Sequence, residues 1–256
     1  MPAIDLPLLI DAARAAGDIS LSFLGRNPQV WQKPGDAGPV TEADIAINRM
    51  LGDRLRSARP DYGWLSEESE DDPHRQNAAR TFIIDPIDGT NAFIRGDKDW
   101  AHAFAVVEDG VPIAGVVFMP ARSLMFAAAQ GQGATCNGRP ISVSALTHMN
   151  SAQVLTTKPN MAPHHWKGAT PPFQRGFRSS LAYRMALAAE GKFDAMLTLH
   201  PTWEWDIAAG AILVAEAGGQ VTDKRGKPLR FNSRNRQLDG VLAGGAIVTS
   251  LLDALV

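Results

Sequence analysis

The chain carries a single cysteine, Cys136, among 256 residues. An internal disulfide is therefore excluded, and a lone thiol fits a reducing compartment. A surplus of either charge is also missing. With 25 Lys and Arg against 27 Asp and Glu, no broad positive surface for nucleic acid is implied. No run of about 18 apolar residues suggests a membrane span. The start, Met1 to Leu24, is interrupted by Asp5, Asp11, Arg14 and Asp18, and lacks the basic stretch and unbroken apolar run of a signal peptide. Internal repeats and long linkers are absent too. What remains is a chain that is 45% hydrophobic, ample for a sizeable core. The expectation is a soluble cytoplasmic protein with one domain over residues 1–256, in approximate halves 1–145 and 146–256.

Ile4, Leu8, Leu9, Ala12, Ala16, Ile19 and Phe23 recur at helical spacing and predict an amphipathic opening helix. Gly25 to Val40, rich in Pro and Gly, reads as a loop. Thr41-Glu-Ala-Asp44 resembles a helix start, with Asp44 as the capping-box acid. Phe82-Ile83-Ile84 predicts a buried strand ending at Asp85, and residues 101–129 read as several strands. Ser179-Ser180 caps a helix that stops at Gly191. Residues 195–199 predict a strand, Asp206 to Ala217 a helix ended by Gly218-Gly219, and residues near 241 and 249–255 a last strand and helix. This mixture fits a layered α/β or α+β architecture.

The chemistry concentrates in Asp85-Pro86-Ile87-Asp88-Gly89-Thr90. A strand that delivers two carboxylates at i and i+3 into a tight turn can aim both at one point. Pro86 stiffens the turn and Gly89 permits close backbone approach to a ligand. Hard divalent cations take oxygen ligands, and magnesium shares its positions among carboxylates, waters and substrate phosphate. Amides after Gly89 can cradle a phosphate as an anion nest. Asp, Pro and Gly are also ordinary turn formers, Glu67-Glu68 with Glu70-Asp71-Asp72 reads equally as a solvated acidic loop, and Asp206 as a helix N-cap. Each bland reading stands singly; their joint occurrence points to a metal site.

The blocks Leu65-Ser66-Glu67-Glu68-Ser69, Asp85-Pro86-Ile87-Asp88-Gly89-Thr90-Asn91 and Trp205-Asp206-Ile207-Ala208-Ala209-Gly210, with Val40-Thr41-Glu42-Ala43-Asp44 upstream, resemble in order and spacing the signatures of the inositol monophosphatase superfamily. The resemblance covers essentially the whole chain. It implies the α-β-α-β-α layers of the inositol monophosphatase and fructose-1,6-bisphosphatase type, a homodimer, inhibition by lithium, and Mg2+ as cofactor, two or three ions, with Mn2+ as a substitute. Carried over, Glu67, Asp85 and the carbonyl of Ile87 hold one ion; Asp85, Asp88 and Asp206 hold the second. Asp44, Glu67 and Thr90 form the catalytic set, Thr90 pairing with Asp44 to orient the attacking water. Asp88, Gly89, Thr90 and Asp206 meet the phosphate or substrate. The substrate is a small phosphorylated metabolite, with no nucleic-acid or membrane partner.

For the leaving alcohol, the position where inositol phosphatases of the superfamily place a sugar-gripping Glu is Leu199. Pro201-Thr202-Trp203-Glu204-Trp205-Asp206 and Ala189-Glu190-Gly191-Lys192 are similar to bacterial 3′(2′),5′-bisphosphate nucleotidases, whereas Asn91 follows the inositol type. The reading leans to 3′-phosphoadenosine 5′-phosphate, with inositol 1-phosphate, histidinol phosphate or fructose bisphosphate as alternatives. Trp203, Tyr183 or His200 is a candidate shelf for adenine, although aromatics mostly fill cores. Arg184 is a candidate contact to a second phosphate, against a merely solvated Arg, and Lys33 to the metals or phosphate. A regulatory module binding protein or RNA is the rival of another class.

Overall fold

The fold is described from a computed structural model, over residues 4–36 and 38–256. Ala37, inside the expected loop, lies outside the described residues.

Two long helices open the chain, α1 (Asp5–Phe23) and α2 (Glu42–Ala58). Between them the expected loop contains a short antiparallel hairpin, β1 (Val30–Gln32) and β2 (Pro39–Thr41), paired from Val30↔Thr41 to Gln32↔Pro39. Its Pro and Gly residues lie mainly at the tip, and the Val-Trp-Gln run supplies the strand. The capping box is present: Thr41 N–H donates to the Asp44 carboxylate at 2.8 Å and Thr41 Oγ1 accepts from Asp44 N–H.

A seven-stranded sheet follows. Its strands, in spatial order, are β3 (Gly63–Ser66), β4 (Arg80–Asp88), β5 (Ala101–Glu108), β6 (Val111–Met119), β7 (Leu124–Ala129), β8 (Ala134–Cys136) and β9 (Arg139–Ile141). The β3–β4 pair is parallel and the others are antiparallel. Alternation divides β4 and β5 cleanly. Phe82, Ile84, Phe104 and Val106 face α1 and α2, whereas Ile83, Ala103 and Ala105 face the other way.

The inward helices are α4 (Leu181–Ala189) and α5 (Glu204–Glu216), and beyond them lies a five-stranded sheet. It is ordered β11 (Gln174–Gly176), β10 (Gln153–Leu155), β12 (Ala195–Trp203), β14 (Gln237–Gly244), β13 (Gln220–Thr222). On its far face packs α6 (Ile247–Ala254). Helices and sheets thus alternate in five layers. Being sandwiched, α5 is apolar on nearly all sides, with Ile207 to Val214 buried. Gly115 on β6 lets it lie close, because a Cβ there would come within 2.6 Å of Ile212. No helix among the described residues is long and apolar enough to cross a membrane, and Cys136 is free and buried.

Two boundaries differ from expectation, and both shape the site. Strand β4 continues past Asp85 to Asp88, and α5 begins at Glu204, so Asp206 sits inside its first turn and Trp203 takes the cap position.

Candidate metal and phosphate site

The pairing of β4 with β5 shifts register between Asp85↔Ala103 and Asp88↔Ala101. Three steps on β4 oppose two on β5, which is a bulge of one residue. Strand residues share a face every second position; the extra residue makes i and i+3 share one instead. Asp85 and Asp88 therefore turn to the same side, toward α5 and Asp206. Oxygens of Asp85, Asp88 and Asp206 all lie within 4.8 Å of one another. Pro86, which has no N–H to lose from the ladder, sits in the bulge.

After the bulge, Gly89 adopts φ 93°, and a Cβ there would meet Asp99 O at 3.1 Å. Only glycine enters this turn without strain. The short helix α3 (Thr90–Ile94) follows, and Thr90 Oγ1 donates to Ile87 O at 3.1 Å.

Asp88 is secured from across the molecule. Ser180 Oγ and Ala182 N–H, at the start of α4, both donate to Asp88 Oδ2 at 2.6 Å. Burial nevertheless raises the Asp88 carboxyl to about 6 against these bonds. Asp85 is held well above the ordinary carboxylate range by burial, then by the charges of Glu67, Asp88 and Asp206. Asp206 is raised by burial and by Asp88 and Glu67. Asp85 Oδ1 is buried without any hydrogen-bond partner. Mutually repelling carboxylates with an orphaned oxygen, and an all-oxygen donor set, fit a hard divalent cation.

Glu67 follows β3, its N–H bonded to Ile84 O at 3.2 Å. It is not one of the trio but acts on Asp85 by its charge, and Lys33 Nζ meets Glu67 and Glu68 at 2.6 Å each. Burial alone would lower the Lys33 ammonium, but these two carboxylates outweigh it and hold it above the usual lysine range. Glu68 is raised to about 7 by burial and by Glu67. Asn48 on α2 braces the turn, donating to Glu68 O at 2.9 Å and accepting from Ser66 Oγ at 2.8 Å.

The expected Thr90–Asp44 pair is not formed. The Thr90 hydroxyl is taken by Ile87 O, and one Asp44 oxygen by Thr41. Asp44 Oδ1 is buried and unpartnered, and burial raises this carboxyl to about 6.

A cavity of about 480 Å³ opens over these groups, lined in part by Glu67, Asp88, Gly89, Thr90, Arg95 and Phe177. The aromatics singled out from the sequence do not line it. Tyr183 is core, with Arg122 over its ring; Trp203 stacks on Trp205 at 4.8 Å and carries Arg236 over its ring. His200 is exposed and edge-on to His165, which borders a different cavity. Arg184 is buried, not solvated: its Nε donates to Arg178 O at 2.6 Å, and its charge opposes the rise of Asp88 and Asp206. Three contributors escaped sequence reading. Ser180 was legible as a helix cap but not as a partner of Asp88; Arg95 and Phe177 gave no signal.

A family model described as the inositol monophosphatase family matches residues 6–251. The chain is 34% identical over 247 residues to the inositol-1-monophosphatase of Rhizobium meliloti, covering 89% of each. It is 33% identical over 243 residues to the 3′(2′),5′-bisphosphate nucleotidase CysQ of Escherichia coli, covering 89% of this chain and 94% of that one. The solved IMPase of Thermotoga maritima superposes with a TM-score of 0.81 at 30% identity, over 99% of this chain and 96% of that chain. Matched along nearly its full length by this family model and by phosphatases above 30% identity, the chain belongs to the inositol monophosphatase family of phosphoric monoester hydrolases.

Proposed function

We propose that this phosphatase uses Mg2+ to hydrolyse a nucleoside bisphosphate of the 3′-phosphoadenosine 5′-phosphate type, with inositol 1-phosphate as the alternative. The observation that carries the metal reading is the Asp85–Asp88–Asp206 trio, two of its members buried and Asp206 half-buried, with an unpartnered Asp85 oxygen. Glu67 and the Ile87 carbonyl complete the donors. When bound, the ions neutralise the phosphate dianion, lower the pKa of water and stabilise the departing alkoxide.

The chain's own groups do the rest. Gly89 and Thr90 border the cavity where the phosphate sits, and glycine's missing side chain leaves room for close approach. Asp44 Oδ1, unpartnered and raised to about 6, is the acceptor that helps orient and deprotonate the attacking water together with Thr90. Closing this relay requires Thr90 Oγ1 to turn from Ile87 O toward Asp44 when substrate enters. On the leaving side, Leu199 is buried in the core of the small sheet and offers no carboxylate to sugar hydroxyls. Arg184 is buried beside Asp88 and Asp206, and Arg95 on the cavity lining is the exposed cation for a second anionic group. Homodimer formation and lithium inhibition follow the family resemblance.

Phosphate release from 3′-phosphoadenosine 5′-phosphate and inositol 1-phosphate, with and without Mg2+, tests this reading. The bisphosphate is expected to be preferred, and Asp88→Asn to lower turnover of both by at least about 10³-fold. A large preference for inositol phosphate sinks the nucleotide reading; full activity of Asp88→Asn sinks the site.

A further inference from the structure

The geometry points to Phe177 as the shelf on which the site receives a planar aromatic group of the leaving alcohol, a nucleobase. This rests on the phosphatase reading above and names the part of the site that selects the substrate.

Phe177 is an apolar ring on the wall of the carboxylate cavity, and it is 47% exposed. The guanidinium of Arg184 lies under it, with Cζ 4.7 Å from the ring centroid. A cation on one face holds the ring by its quadrupole, and the exposed remainder stays available for stacking. Bases bind aromatic rings in this way, with little need for hydrogen-bond geometry.

The shelf is built into a rigid segment. Arg184 Nε donates to Arg178 O at 2.6 Å, the Arg178 guanidinium lies over Phe193, and Ser180 both caps α4 and bonds Asp88. Phe177 is therefore only three residues from a side chain that holds a metal-site carboxylate. A ring preorganised this way loses little entropy when a ligand stacks on it. The cavity of about 480 Å³ has the capacity for a nucleoside-sized group. Arg95, exposed on its lining, is paired with Asp97 at 2.8 Å, and exchanging that partner for a second phosphate would free no buried charge. Inositol, saturated and polar, makes no comparable use of a half-exposed aromatic ring.

Kinetics of Phe177→Ala and Phe177→Tyr on adenosine 3′,5′-bisphosphate and on glycerol 2-phosphate, an ester without a base, test the shelf. Calorimetric binding of adenosine 3′,5′-bisphosphate and sizing of each variant complete the set. Phe177→Ala is expected to raise KM for the nucleotide about ten-fold more than KM for the glycerol ester, with kcat largely kept. Phe177→Tyr restores it. Equal changes for both esters, or unaltered nucleotide binding, overturn the shelf. A change in molecular mass with no selective loss of nucleotide affinity overturns it in favour of a contact between copies. Failure of the wild type to release phosphate from either ester is a failure of the phosphatase reading. The calorimetric comparison still decides the shelf in that case.

Discussion

Two stretches of chain reach the same cavity by different means. Asp85 to Asp88 ends an interior strand of the seven-stranded sheet, paired there with β5 and aimed by a bulge. Phe177 to Ser180 lies between β11 and α4, outside any strand, and is held by side chains of Arg184 and Ser180. The first presents like charges that repel one another, a set suited to a cation. The second presents an aromatic edge and a buried arginine, groups that can be exchanged without touching the sheet. On the proposed reading, reaction chemistry lies on the strand and substrate choice on the loop, a division that would let one scaffold serve several phosphate esters.

Asp206, the third carboxylate of the site, comes from α5, and a polar tie between the β3–β4 connection and the start of that helix offers the hardest way to break the arrangement. Arg75, between β3 and β4, donates to the Asn232 side chain and, at 2.8 Å, to Ser233 O. The same loop gives its Asn232 and Ser233 N–H groups to the buried Glu204 carboxylate at 2.6 and 2.9 Å. Glu204 opens α5, two residues before Asp206. Glu204→Ala leaves these donors without their acceptor and is expected to cost about 4 kcal/mol in urea unfolding, a large share of a domain's stability. Mg2+-induced thermal stabilisation should weaken with it, because Asp206 loses its anchored helix start. A loss below about 1 kcal/mol would show that the start of α5 is positioned without the tie.

A second contrast concerns histidines. His164, His165 and His200 cluster at the edge of the small sheet, near the surface. His102 on β5 is fully buried, with Nδ1 against the Pro86 carbonyl and Nε2 3.0 Å from Ser20 Oγ. Because the carbonyl only accepts, Nδ1 carries the hydrogen, and neutral His102 braces the bulge from behind. Burial lowers its pKa to about 4. An unfolded histidine gains its proton near pH 6.5, so unfolding takes up a proton between about 6.5 and 4, and stability falls as pH drops through that window. The full difference is about 3 kcal/mol. With Mg2+ saturating, the stability gap between His102→Gln and wild type should shift by about that amount toward the variant from pH 7 to pH 4. A constant gap would mean that His102 is already protonated, or accessible, in the folded state.

Legibility followed the same line between strand and loop. The capping box at Thr41 and Asp44, the Asp85–Asp88 pair and Asp206 could be read because their residue types carry chemistry at a spacing. The bulge was not legible, since Pro86-Ile87 reads as a turn until the partner strand is known. The β1–β2 hairpin was hidden by Pro34, Gly35 and Pro39, which signal loop more loudly than Val30-Trp31-Gln32 signals strand. Arg184 and Phe177 depend on which surface a segment folds against, and local sequence holds no such information. Trp203, attractive as an aromatic near Asp206, is occupied by Trp205 and Arg236.

Lys33 gives the smallest expected effect and the finest test of the comparison. Carried next to the hairpin tip, its ammonium rests on Glu67 and Glu68, where it would share the electrostatic role proposed for the metal. If it only substitutes for the ion, Lys33→Met removes a competitor, and Mg2+ should bind about three-fold more tightly. Substrate KM would then stay near that of wild type. If Lys33 instead swings to the phosphate when the ions enter, KM rises while Mg2+ affinity improves, and the loop side of the cavity takes part in the chemistry as well as in selection. Calorimetric Mg2+ titration alongside steady-state kinetics separates the two outcomes, because competition acts on metal affinity alone and phosphate contact acts on both.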